Sequence, residues 1–196
     1  KKINYSKKLK HIKKNSNKND LITTYIEEIL KFNKTHNIVG RHTKEEILRL
    51  DVKDCETILG HIPHNKKILD IGSGAGLPGL IIAISQPWNE VTMSEKNKKK
   101  AYFIKKTIHI LGLKNAQILD IATNPNLITQ NKFDIITARA LAPTPKIIEI
   151  SQHLLAPNGK FLLMKGVKKK IDEEVVRLDN NKYSYTIHKA KTTNQN

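Results

Sequence analysis

The stretch Ile68-Leu69-Asp70-Ile71-Gly72-Ser73-Gly74-Ala75-Gly76-Leu77-Pro78-Gly79 decides the fold. Lys67 to Ile71 reads as a short buried strand, four glycines follow within eight residues, and the apolar run from Leu80 to Ile84 suits a buried helix. Strand, glycine turn and helix make the opening half of a βαβ unit. Lacking Cβ atoms, the turn can take positive φ and let a ligand press on its backbone. The helix that begins there presents free N–H groups and the positive end of its dipole. The turn therefore suits a ligand with an anionic part and a flat part.

Two cofactor classes use such a turn. Dinucleotide sites place G-x-G-x-x-G directly after the strand. Here that spacing exists only from Gly74 through Gly76 to Gly79, too far along the chain, so a nucleotide-cofactor oxidoreductase is disfavoured. The form present, Asp70-x-Gly72-x-Gly74-x-Gly76, is the usual one in S-adenosylmethionine (SAM) methyltransferases. A second signal follows at Glu95, where the strand read from Glu90 to Ser94 ends. It lies about twenty residues past the turn, where a carboxylate can accept the two hydroxyls of a ribose lying across the sheet edge.

The rest of the chain fits an α/β domain. Asp20 offers a helix cap, with Ile22, Ile26, Ile29 and Leu30 on one face of a helix over 21–34. Thr43 and Glu46 signal a capping box for a helix over about 44–60, with Leu48, Val52, Cys55 and Leu59 as its apolar stripe. Beyond Glu95, a helix from about 97 to 111 stops at Gly112, a third strand runs from Ala116 to Ile121, and a polar loop covers 122–131. Within that loop Thr123 and Asn124 are placed to meet an adenine. Phe133 to Thr137 is the fourth strand, and Arg139 follows at its carboxyl rim, suited to a carboxylate or phosphate. Thr144 and Pro145 open a helix, Pro157-Asn158-Gly159 is a turn, and Lys160 to Met164 is a fifth strand. Lys168 to Leu178 reads as a helix and Tyr183 to His188 as a sixth strand.

Composition narrows the partners. The 196 residues carry 35 basic against 18 acidic side chains, a formal charge of +17 that favours a polyanion. Eight lysines and no acid fall within residues 1–19, which reads as a basic, flexible arm. Cys55 is the single cysteine, which excludes an internal disulfide and a cysteine metal cluster. The histidines show no metal-ligand spacing, and no apolar run reaches membrane-spanning length. A cytoplasmic monomer is expected, with no membrane and no metal. Its domain is expected over 20–196, with N-terminal helices over 20–62 and a SAM-binding α/β core over 63–188. The class expected is a Rossmann-like class I methyltransferase, with a mostly parallel sheet and helices on both faces.

The acceptor narrows by exclusion. Transfer to an exocyclic amine usually shows Asn/Asp-Pro-Pro-aromatic after the fourth strand, where this chain has Thr137-Ala138-Arg139-Ala140. Transfer to pyrimidine carbon 5 needs a cysteine in the site, and Cys55 lies in the helical layer. Nucleophiles that need no activation remain, guanine N7 among them. Such an enzyme works by alignment, and no side chain is singled out as a catalytic group.

Phe32-Asn33-Lys34, Asn37-Ile38-Val39-Gly40, the glycine stretch from Leu69 to Gly79, Phe133-Asp134, Thr137-Ala138-Arg139-Ala140 and Leu163-Met164-Lys165-Gly166 resemble the RsmG (GidB) family of 16S ribosomal RNA guanine-N7 methyltransferases. The resemblance implies SAM as cofactor, S-adenosylhomocysteine as product, and 16S rRNA or the small ribosomal subunit as partner. It places Gly72, Gly74 and Leu77 against the cofactor, Glu95 on the ribose, Thr123 and Asn124 on the adenine, and Arg139 beside the methyl donor. The chain departs from the family where an Arg-His-x-x-Asp-Ser segment is usual. An ungapped match puts Leu50, Asp51, Asp54 and Cys55 there, and Ala122 to Pro125 replaces an Arg-Ala-Glu-Glu-like run. A catalytically weakened RNA-binding protein on the same fold is the alternative.

Overall fold

The computed structural model describes residues 17–119, 132–179 and 182–190. Helix α1, Lys18–His36, opens on a capping box in which Asn17 accepts from Asp20 N and Asp20 accepts from Asn17 N. Asp20 is thus the third helical residue rather than the cap, and the helix starts a turn earlier than the sequence suggests.

Residues 44–56 form α2 in three pieces: Lys44–Glu46 is α-helical, Ile47–Val52 is a π-helix, and Lys53–Glu56 is α-helical again. The expected Thr43–Glu46 capping box is present. A π turn carries more residues per turn than an α-helix, so it rotates the side chains beyond it about the helix axis. Leu48, expected inside, is 38% exposed, while Ile47, Asp51, Val52 and Cys55 are buried. A 3₁₀ turn at Leu59–His61 leads to the sheet.

Five strands alternate with helices: β1 Lys67–Ile71, α3 Gly79–Ser85, β2 Glu90–Ser94, α4 Lys98–Leu111, β3 Ala116–Leu119, β4 Phe133–Arg139, α5 Thr144–Ser151, β5 Leu155–Met164 and α6 Lys168–Val175. The sheet order is β3-β2-β1-β4-β5 and every pairing is parallel. The chain steps outward from β1 to β3 and then returns to the far side of β1 with β4. The strand order therefore reverses between β1 and β4, and open α/β sheets hold ligands at the carboxyl end of that junction.

Strand alternation divides the core. Ile68, Val91, Met93 and Ile135 point into the larger cluster, which α1, α2, α3 and α4 complete. Leu69, Phe133, Ile136 and Leu154 form the smaller cluster on the other face.

Some expectations change. Pro157-Asn158-Gly159 is an irregularity inside β5 rather than a turn before it, with Asn158 at φ 63° and the β4–β5 register shifting between Phe133 and Ile135. Pro143 is the cap of α5, and Thr144 is its first residue, its N–H and hydroxyl both bonded to Glu174. Residues 183–188 form no strand, and Tyr185 and Ile187 are exposed. Their alternating pattern fits a strand, but no sheet edge among the described residues pairs with it. The last two residues of the expected third strand and the loop over 122–131 lie outside the described residues.

Candidate active site

The glycine turn leaves β1 with Gly72, Gly74 and Gly76 all at positive φ, 67°, 60° and 94°. At Gly72 a side chain would also press on Leu141 Cδ1 at 2.6 Å, but that is the end of a partly exposed side chain that can move, so the positive φ is what favours glycine. Gly79 requires glycine for space alone, since a Cβ would stand 2.8 Å from Asp70 Oδ2. That same carboxylate oxygen accepts from Gly79 N at 3.0 Å, so Asp70 ties the end of β1 to the start of α3.

Asp70 is fully buried and its Oδ1 has no hydrogen-bond partner among the described residues. Burial pushes its carboxyl up to about 7, the Ser73 hydroxyl and Gly79 N–H oppose that shift, and the Glu95 carboxylate adds to it. Glu95 reaches the turn from the end of β2. Its Oε2 accepts from Gly74 N and its Oε1 from Asn97 N, both at 2.8 Å. The main chain reinforces this seam, because Gly72 N and Ser73 N both donate to Ser94 O.

The N-terminal helices approach the turn from the other direction. Tyr25 is fully buried on α1, and its hydroxyl donates to Ala75 O at 2.9 Å. Asn33 holds the chain after α1 with three bonds: Nδ2 to Val39 O and Arg41 O, and Val39 N to Oδ1. Asn37 makes the bend possible at φ 44°. The Phe32-Asn33-Lys34 and Asn37-Ile38-Val39-Gly40 segments are thus one structural unit. Arg139, the last residue of β4, crosses to α2. Its Nε donates to Asp54 Oδ2 and its Nη2 to Asp51 Oδ1, both at 2.9 Å, and Nη2 also reaches Leu50 O at 3.1 Å.

A cavity of about 260 Å³ lies between these parts. Residues 38–41 and Asp51 line it from the helical layer, Gly72, Gly74 and Leu77 from the turn, and Arg139 from β4. The structure therefore brings together Gly72, Gly74, Leu77 and Arg139, and Glu95 joins them through its bond to Gly74. Thr123 and Asn124 lie outside the described residues. Sequence reasoning missed Tyr25, Asn33, Arg41 and Asp51 as parts of the site. Tyr25 was findable, since it falls with Ile22, Ile26 and Ile29 on the apolar stripe of α1 yet carries a hydroxyl that needs a partner. Asp51 was not, because its partner Arg139 lies far along the chain and no local pattern points to it. Cys55 is buried in α2, and burial raises its thiol far above the usual range, so it stays protonated.

A parallel sheet in this order, with a side-chain-free turn after β1 and an acid after β2 bonded to that turn, defines the class I SAM-dependent methyltransferase fold. A SAM-dependent methyltransferase from Aquifex aeolicus shares that fold at a TM-score of 0.50 and 21% identity, over 68% of this chain and 70% of that one. Residues 18–195 match the family described as GidB, rRNA small subunit methyltransferase G. The ribosomal RNA small subunit methyltransferase G of Psychrobacter arcticus is 38% identical over 72% of this chain and 58% of its own length. That of Brachyspira hyodysenteriae is 32% identical over 92% of this chain and 88% of its own. The chain belongs to the rRNA small subunit methyltransferase G family, as the sequence motifs imply.

Proposed function

We propose that this protein transfers a methyl group from SAM to N7 of a guanosine in 16S rRNA, as a cytoplasmic monomer acting on the RNA or on the small subunit. One observation carries the reading: the glycine turn and Arg139 line a single cavity that the helical layer closes from the other side. The described residues fit the cofactor. The turn offers bare backbone at Gly72 and Gly74, and a Cβ built on Gly74 meets nothing nearer than 4.0 Å. Glu95 would take the ribose hydroxyls with lone pairs left over from Gly74 and Asn97, since a carboxylate accepts about four hydrogen bonds. Gly72, Gly74 and Leu77 would cradle the cofactor, Thr123 and Asn124 its adenine, and Arg139 would stand beside the donor end. When bound, SAM supplies a methyl group activated by the sulfonium.

The chain's own contribution is alignment. Guanine N7 has a free lone pair at neutral pH, so no side chain has to remove a proton. Asp51 and Asp54 face the rim, each held in an ion pair by Arg139. Helices over 20–62 and the core over 63–188 act as one domain, and the bonds from Tyr25 to Ala75 and from Arg139 to α2 support that reading.

The test uses small-subunit rRNA from cells lacking this modification, purified protein and SAM. The expected result is N7-methylguanosine in the RNA by mass spectrometry, together with SAM binding by calorimetry. SAM binding without any methyl incorporation, into naked RNA or subunits, would remove the enzymatic reading. Elution from a sizing column as a dimer would remove the monomer.

No helix among the described residues is long and apolar enough to cross a membrane.

A further inference from the structure

The cavity carries a pair of charged side chains to which the reading above gives no role in holding the methyl donor. Asp51 is 5% exposed and lines the cavity. Its Oδ1 is taken by Arg139, while its Oδ2 has no hydrogen-bond partner among the described residues. Arg41, also lining the cavity, sets its Nε 3.8 Å from that oxygen, and this Nε too is buried without a hydrogen bond among the described residues. A separation of 3.8 Å is an ion pair but not a hydrogen bond. Buried polar atoms are nearly always satisfied, and charged ones most of all. An acceptor and a donor, side by side and each unfilled, describe the complement of a ligand edge that offers a donor next to an acceptor.

We propose that Asp51 and Arg41 read the Watson–Crick edge of the target guanine. Asp51 Oδ2 accepts from guanine N1–H, and Arg41 Nε–H donates to guanine O6. The inference rests on the guanosine-N7 reading above. Adenine presents the reverse order, an acceptor at N1 and a donor at N6, and meets like against like at both positions. Recognition on this edge leaves N7 unencumbered for the methyl group. Access follows from the Arg41 side chain, which is 41% exposed and can swing to admit the base. Both residues belong to the helical layer, whereas the cofactor turn belongs to the sheet. The pair therefore meets the cavity from the helical layer rather than from the glycine turn.

The same donor–acceptor pair could hold the amino-acid end of SAM, and the experiment separates the two. Asp51→Asn keeps an oxygen for Arg139 and turns an NH₂ toward N1–H; Arg41→Met deletes the donor to O6. Three readouts are taken on each variant: the thermal unfolding midpoint, SAM affinity by calorimetry, and kcat/KM for N7-methylguanosine formation in unmodified small-subunit rRNA. The expected result is SAM affinity within about twofold of the parent and kcat/KM lower by about tenfold or more, the scale of one good base contact. Should Asp51→Asn fail to fold, Arg41→Met decides, since its partly exposed side chain leaves the core intact. Loss of SAM affinity in a folded variant overturns the proposal and assigns the pair to the cofactor. Parent-like values in both readouts overturn it as well. If the parent itself makes no N7-methylguanosine, the proposed function and this inference fall together; if only the variants match the parent, this inference alone falls.

Discussion

At the scale of single residues, the site depends on polar groups that are buried and specifically paired. Tyr25→Phe removes one oxygen and strands the Ala75 carbonyl inside the protein. The expected loss is about 1–3 kcal/mol of stability, read from the urea midpoint at constant m-value. SAM affinity should fall with it, because Ala75 lies in the turn. Glu95→Ala should weaken SAM binding by tenfold or more on the scale of about 1.4 kcal/mol per decade. Unchanged affinity in calorimetry would remove the ribose assignment.

Asp70 makes the folded protein sensitive to pH. Its carboxyl titrates at about 7 in the fold, against about 3.9 in an unfolded chain. Between those values the folded state keeps a proton that the unfolded state has lost, so stability falls as pH rises. The contribution is complete below about pH 4 and gone above about pH 7, on the order of a few kcal/mol. Asp70→Asn should flatten that part of the stability curve between about pH 4.5 and 7.5. A variant slope equal to the parent's would assign the titration elsewhere. Legibility at this scale follows locality. Gly72, Glu95 and Arg139 were readable because a turn and a strand end fix their positions within a few residues. Tyr25 and Asp51 act on groups far along the chain: the apolar stripe of α1 shows that the Tyr25 hydroxyl needs a partner, but no local pattern says which, and none points to Asp51 at all.

At the scale of elements, the helical layer is held to the sheet by few but well-formed links. Arg139 carries three of them, all to α2. Arg139→Ala would leave Asp51 buried beside no cation but Arg41, and removing one partner of a buried pair costs about 3–5 kcal/mol. Arg139 keeps a fifth of its side chain in solvent and Asp54 is partly exposed, so about 2–4 kcal/mol is expected from thermal or urea unfolding. A loss under 1 kcal/mol would show that the layer is held by packing alone. Strands and helices that face the core on both sides were legible, because burial reinforces their periodicity. Where one partner was missing, reading failed. Tyr183 to His188 has strand-like alternation but no strand paired with it among the described residues, and in α2 Ile47 takes the buried place expected of Leu48 while Val52 and Cys55 stay inside.

At the scale of the whole molecule, charge sets the terms of RNA binding. The net charge of +17 does not come from the site, where Arg41 and Arg139 are matched by Asp51 and Asp54. It comes from lysines outside the site, and any phosphates of RNA that they touch would release counterions. Log affinity for rRNA should therefore fall linearly with log salt, at about 0.7 per phosphate contact for single-stranded regions. SAM affinity should scarcely change over the same range. Equal salt dependence for the two ligands would mean that the surface lysines do not touch RNA.

The bond between Arg139 and Asp54 joins residues 85 positions apart. During synthesis at about 5–20 residues per second, α2 therefore waits several seconds for its cation to emerge. Until then Asp51 and Asp54 are a pair of carboxylates with no counterpart from β4, and the layer is held only by its contacts with the earlier elements, such as the bond from Tyr25 to Ala75. A nascent chain stalled before residue 139 should expose α1 and α2 to protease, while one released after β5 should protect them. Residues made early are thus fixed late, and a newborn copy has no finished cavity before its fourth strand has left the ribosome.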